Sequence, residues 1–152
     1  MKLKFRLNGE SRTDEVEPNQ TLCDYLHDAA GTTSVKKGCD TGECGACTVL
    51  LDDMPVTSCL VLVPQIDGRE VVTAEGLGSR SSPHPVQREF VEQDAVQCGY
   101  CIPGMIVTLS WIYEHAPGAS DVEIKRLMSG NLCRCTGYLQ QIEALKAAAK
   151  GT

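Results

Sequence analysis

Apolar and polar residues alternate at the start of the chain. Leu3, Phe5 and Leu7 fall on one side of an extended segment, which predicts a half-buried strand. Asn8-Gly9 is a strong two-residue hairpin turn, and residues 13–16 read as the returning strand. Pro18 breaks the pattern. Thr21 can cap a helix in which Leu22, Tyr25, Leu26 and Ala29 recur at helical spacing, and Gly31 can end it. A glycine-punctuated loop, VKKGCDTGECGAC, follows at 35–47. Thr48–Leu51 is a short apolar strand, Asp52-Asp53 a turn, and 56–59 leads into the apolar run 60–63. Asp67-Gly68 turns the chain into a strand over 70–73. Several short strands packed on one helix predict a small α+β unit.

The period changes beyond that point. GLGSRSSPHP at 76–85 has the composition of a linker. Val86 and Phe90 sit four apart. Ile102, Met105, Ile106, Leu109, Ile112 and Tyr113 form one helical stripe, with Pro103 tolerable in its first turn. Ser120-x-x-Glu123 is a capping box for a short helix that Gly130 can close, and Leu139, Ile142, Leu145 and Ala149 mark a last helix. The expected fold class is α+β, with a four-helix bundle as the second half. The expected division is 1–76, a linker at 77–84, and 85–152.

Composition narrows the function. The chain has 152 residues, 42% hydrophobic, enough for a packed core. Net charge is -6 and aromatic content 5%, so it offers neither a cationic track nor a base-stacking platform, and nucleic acid is not an expected partner. MKLKFRLNGE lacks the apolar core of a signal peptide, and no run approaches a membrane span, so the expected location is cytoplasmic.

Nine cysteines in that setting point to metal or redox chemistry rather than disulfides. Eight fall into two sets, Cys39-x4-Cys44-x2-Cys47-x11-Cys59 and Cys98-x2-Cys101-x31-Cys133-x-Cys135. The first has the plant-type [2Fe-2S] spacing, and zinc sites favour two C-x2–4-C pairs instead. Gly38, Gly42 and Gly45 allow the loop to curl, and their amides can donate to cluster sulfurs. In the second set Cys133-x-Cys135 reads as two sulfurs on one side of an extended loop, suited to a single iron. By itself that quartet fits either an iron–sulfur cluster or zinc. Cys23 reads as a core thiol. His27, His84 and His115 are isolated and read as surface or hydrogen-bonded residues. Gly76-Leu77-Gly78 lacks the third glycine of a dinucleotide site.

The segments GCDTGECGACTVLLDD, VTSCL, VQCGYCIPGM and GNLCRCTGY, in that order over nearly the whole chain, resemble the iron–sulfur subunit of the molybdenum hydroxylases. The resemblance implies an N-terminal β-grasp plant-type ferredoxin domain and a C-terminal helical [2Fe-2S] domain. It implies that Cys98, Cys101, Cys133 and Cys135 hold a molybdenum-proximal cluster, and Cys39, Cys44, Cys47 and Cys59 a flavin-proximal one. Electrons would run from a molybdopterin centre on a large subunit, through both clusters, to FAD on a medium subunit. Gln97 and Cys135 would contact the pterin, and no substrate site would lie on this chain. Ile102 departs from the threonine common in that family. The assembly expected is a heteromer, possibly a dimer of heterotrimers, and the substrate an aromatic or N-heterocyclic compound. The alternative is a free-standing two-cluster ferredoxin.

Overall fold

Alternation at the N-terminus forms a strand because one face can be buried while the other stays wet. In the computed structural model, which describes residues 1–151, β1 (Lys2–Leu7) buries Leu3, Phe5 and Leu7. It turns through Asn8 and Gly9, both at positive φ, into β2 (Glu10–Glu15). β2 starts earlier than the apolar pattern suggested, because as an edge strand it buries none of its residues and carries no hydrophobic signal.

The first helix changes character. Thr21 caps α1 (Leu22–Asp24), its hydroxyl accepting from the Asp24 amide at 3.1 Å. The chain then widens into a π-helical turn at Tyr25–Ala29. Leu22, Cys23, Tyr25 and Leu26 are all buried there, with Tyr25 edge-on to Phe5 at 5.8 Å and its hydroxyl donating to Asp14.

Three more strands complete a mixed sheet: β3 (Thr48–Leu51), β4 (Met54–Thr57) and β5 (Glu70–Val72). The order is β2-β1-β5-β3-β4, with β5 parallel to β1 and antiparallel to β3. The apolar run at 60–63 spans the gap between two 3-10 turns, Ser58–Leu60 and Val63–Ile66, and overlaps both. Leu60 is 62% exposed, so hydrophobicity there does not mark core.

The helical half comprises α2 (Pro85–Glu92), α3 (Ile102–His115), α4 (Asp121–Leu127) and α5 (Leu139–Lys150). Ser120 and Glu123 cap α4 reciprocally, and the helix ends at Leu127, before Gly130. α5 is rotated from the expected stripe: Leu139 and Ala149 are exposed, whereas Gln141, Ala144 and Ala148 are buried with Ile142 and Leu145. Gln141 can turn inward because its Nε2 donates to the Ala95 carbonyl at 2.7 Å.

α3 is the central element. Met105, Leu109 and Ile112 pack into the helical core, and the opposite side of the helix lies on β3. That contact is tight at Gly104, where a Cβ would stand 2.2 Å from the Gly45 carbonyl oxygen. His115, at the other end of α3, stacks on Trp111, and its ring lies 2.8 Å from Asp53 in the β3–β4 turn. Between the halves, 74–85 is not slack: Gln87 donates to the Ala74 carbonyl at 2.9 Å, and Ser79 and Ser82 exchange backbone hydrogen bonds.

Two outcomes follow from this packing. Gly104→Ala forces a methyl against backbone that cannot yield, and should cost about 1–3 kcal/mol in denaturant unfolding. The Trp111 carbonyl and the Asp53 carboxylate raise the His115 pKa above its usual 6.5. Its stabilising contribution is therefore complete below pH 6.5 and is lost as pH rises through the raised folded value. The stability difference between parent and His115→Gln should shrink over that window; a difference that grows with pH would contradict the pairing.

Candidate metal centres

Both cysteine sets sit where loops meet the central helix. The first occupies the loop from 38 to 47 and the turn after β4. Gly42 and Gly45 lie at positive φ, as a tight curl requires. Gly38 is needed for a different reason from the one expected. Its φ is not positive; a Cβ there would lie 2.6 Å from Cys44 Sγ.

In this set Cys39 neighbours Cys44, and Cys47 neighbours both Cys59 and Cys23. Within each pair the two acidities diverge. Hydrogen bonds from Thr41 and the Cys44 amide bring Cys39 down to about 6, whereas burial raises Cys44. Both the Thr41 and Cys44 amides lie 3.4 Å from Cys39 Sγ. Cys47 is held well below the usual thiol value by a hydrogen bond from Cys23, and burial raises Cys59. Of the glycine amides, that of Gly42 points to Cys59.

In the second set Cys101 pairs with Cys133 and Cys98 with Cys135. This corrects the reading of Cys133-x-Cys135 as one gripping unit. The backbone bends at Arg134–Thr136 instead of running extended, so the two sulfurs go to different partners. Burial pushes Cys101 up to about 12, while Cys98 and Cys135 are exposed. Cys101 is also the N-cap of α3, so the positive end of that helix faces the sulfurs and favours an anionic occupant.

Metal binding by these cysteines requires loss of their thiol protons. Among the described residues no group of three or more His, Cys, Asp or Glu is gathered to hold a single ion. Cys39, Cys44, Cys47 and Cys59 would hold one [2Fe-2S] cluster and Cys98, Cys101, Cys133 and Cys135 the other, each set supplying four thiolates. The residues fit that group: a sulfur cradle that a side chain at 38 would fill, and amides aimed at thiolates.

Four other features were not apparent from spacing. Cys23 is fully buried as expected for a core thiol, but it also touches a ligand candidate, Cys47. Asn131 is buried and donates to the Gly45 carbonyl at 3.1 Å and Thr48 Oγ1 at 3.3 Å. The Leu132 amide donates to the Cys44 carbonyl at 2.9 Å. The last bond joins the neighbour of Cys133 directly to a cysteine of the other set. Tyr100 adds a third tie, its hydroxyl donating to the Lys37 carbonyl at 2.6 Å. Gln97 lies exposed beside Cys98, on the same rim as Cys135. The histidines make ordinary contacts: His27 with Asp28, His84 capping α2, and His115 with Asp53.

Residues 5–73 match the 2Fe-2S iron-sulfur cluster binding domain, and residues 73–146 match the [2Fe-2S] binding domain. The chain is 47% identical to the nicotinate dehydrogenase small FeS subunit of Eubacterium barkeri, over 97% of this chain and 94% of that one. It is 37% identical to the aldehyde oxidoreductase iron-sulfur-binding subunit of Escherichia coli, over 98% and 72%. Among solved structures, a chain of quinoline 2-oxidoreductase from Pseudomonas putida 86 superposes with a TM-score of 0.94 at 40% identity, covering 99% of this chain and 94% of that one.

Cys44→Ser removes one sulfur from one pair of the first set. Iron should fall from about four to about two atoms per chain, and one of two paramagnetic signals of the reduced protein should vanish. Loss of both signals from a folded protein would show that the sets are not separate centres.

Proposed function

The chain belongs to the iron–sulfur subunits of the molybdenum hydroxylases, and from that premise we propose how its residues divide the work. It is an electron-transfer subunit of an oxidoreductase complex. We assign Cys39, Cys44, Cys47 and Cys59 to one [2Fe-2S] cluster within a β-grasp ferredoxin unit, and Cys98, Cys101, Cys133 and Cys135 to the other within the helical unit. The division falls between 77 and 84. The observation that carries the assignment is that the two cysteine sets fall one in each matched cluster-binding domain, residues 5–73 and 73–146.

Bound there, the clusters supply one-electron carriage, so that a two-electron oxidation on a partner can be drained stepwise. The protein's part is to hold them at fixed separation. The Leu132 amide and Cys44 carbonyl connect the two ligand sets through one hydrogen bond. Asn131 and Tyr100 keep the loops from sliding.

The second set meets the partner. Val96, Tyr100, Leu132 and Leu139 are large, exposed and within a few positions of its cysteines, which marks an interaction surface rather than a solvated end. That surface supports a molybdopterin-binding large subunit there, with Gln97 and Cys135 reaching its pterin. An FAD subunit is placed at the first set. A freely diffusing ferredoxin is less well supported, because the relatives are named as subunits of larger enzymes. Among the described residues no helix is long and apolar enough to cross a membrane, which fits a cytoplasmic heteromer. Relatives named for nicotinate and quinoline favour an N-heteroaromatic substrate on the large subunit.

Gln97→Ala should leave both clusters loaded and lower turnover of the assembled enzyme by about tenfold or more. Parent turnover with full pterin retention would remove Gln97 from the cofactor pocket.

A further inference from the structure

The loop after Cys133 closes a ring of hydrogen bonds that no ligand assignment requires. The Cys133 amide donates to the Tyr138 hydroxyl at 2.7 Å. The Tyr138 amide points to Thr136 Oγ1 at 3.4 Å, and that oxygen lies 3.1 Å from Cys133 Sγ.

Donor chemistry fixes the direction of the last bond. An amide can only donate, so Thr136 Oγ1 accepts from Tyr138. Its single proton is then free for the sulfur. A metal-bound thiolate carries no proton and can only accept. Tyr138 holds the ring at φ 71, a left-handed conformation that an aromatic residue adopts only when its surroundings impose it.

We propose that Thr136 is a positioning residue that donates its hydroxyl proton to Cys133 Sγ and so sets the reduction potential of the helical-domain cluster. Reduction adds one electron to the cluster and concentrates negative charge on its sulfurs. A donor fixed on one sulfur therefore stabilises the reduced form more than the oxidised form. No proton moves in the step. The inference rests on the cluster assignment above.

The test is a redox titration of the complete complex, followed by paramagnetic resonance, in Thr136→Val, Thr136→Ala and Thr136→Ser. Valine keeps the shape and removes the donor. It should disfavour one-electron reduction of the helical-domain cluster about tenfold, equivalent to about 59 mV, and leave the other cluster unmoved. Alanine should shift it in the same direction, and carries the test if valine prevents loading. Serine should restore the parent potential to within about twofold. Unchanged potentials in loaded valine or alanine variants would overturn the proposal, as would a serine variant as low as valine. A parent lacking the second cluster would instead overturn the assignment on which the proposal rests.

Discussion

Close approach of three backbone segments, with almost no side chain between them, is the constraint on which the rest depends. A Cβ on Gly45 would stand 2.2 Å from the Gly130 carbonyl oxygen, and one on Gly104 would stand 2.2 Å from the Gly45 carbonyl oxygen. The first sulfur loop, the start of α3 and the loop leading to the second sulfur set therefore share one seam. Asn131 satisfies polar groups in that seam which burial would otherwise leave unpaired. The seam is why the Leu132 amide can reach Cys44. Larger residues at 45 or 104 would separate the two sulfur sets as well as the two cores.

Neighbouring groups control how much negative charge each sulfur loop carries. Four ionised thiolates in partly buried loops would repel one another. Neighbouring donors stabilise the anion of selected members and so lower their pKa: Thr41 and the Cys44 amide at Cys39, the Cys23 thiol at Cys47, and the Thr136 hydroxyl at Cys133. The ninth cysteine belongs to the same economy. Cys23 keeps its proton, raised by its hydrogen bond to Cys47 and by burial, and lends that bond to Cys47. In the helical half Thr136 takes the corresponding place beside Cys133.

Much of the fold could be read from period and punctuation. The alternation of Leu3, Phe5 and Leu7, the Asn8-Gly9 turn and the α3 stripe all act locally, and the structure follows them. What could not be read depends on contacts distant in sequence. β2 gives little hydrophobic signal because it lies at the edge. α5 turns a glutamine inward because Ala95, far off in sequence, offers a carbonyl. The 3-10 turns around Cys59 expose leucines that composition alone would bury. The cysteine sets were visible from spacing and resemblance. Their pairing was not, because it depends on a bend at Arg134 and on which loop faces which.

The central claim is that two separate dinuclear centres lie close together on one chain, joined across the seam. Paramagnetic resonance of the assembled protein at stepwise increasing reduction tests it most directly. The account predicts two signals that appear independently and then broaden or split one another once both centres are reduced. A single signal, or two that never interact at full reduction, would contradict it.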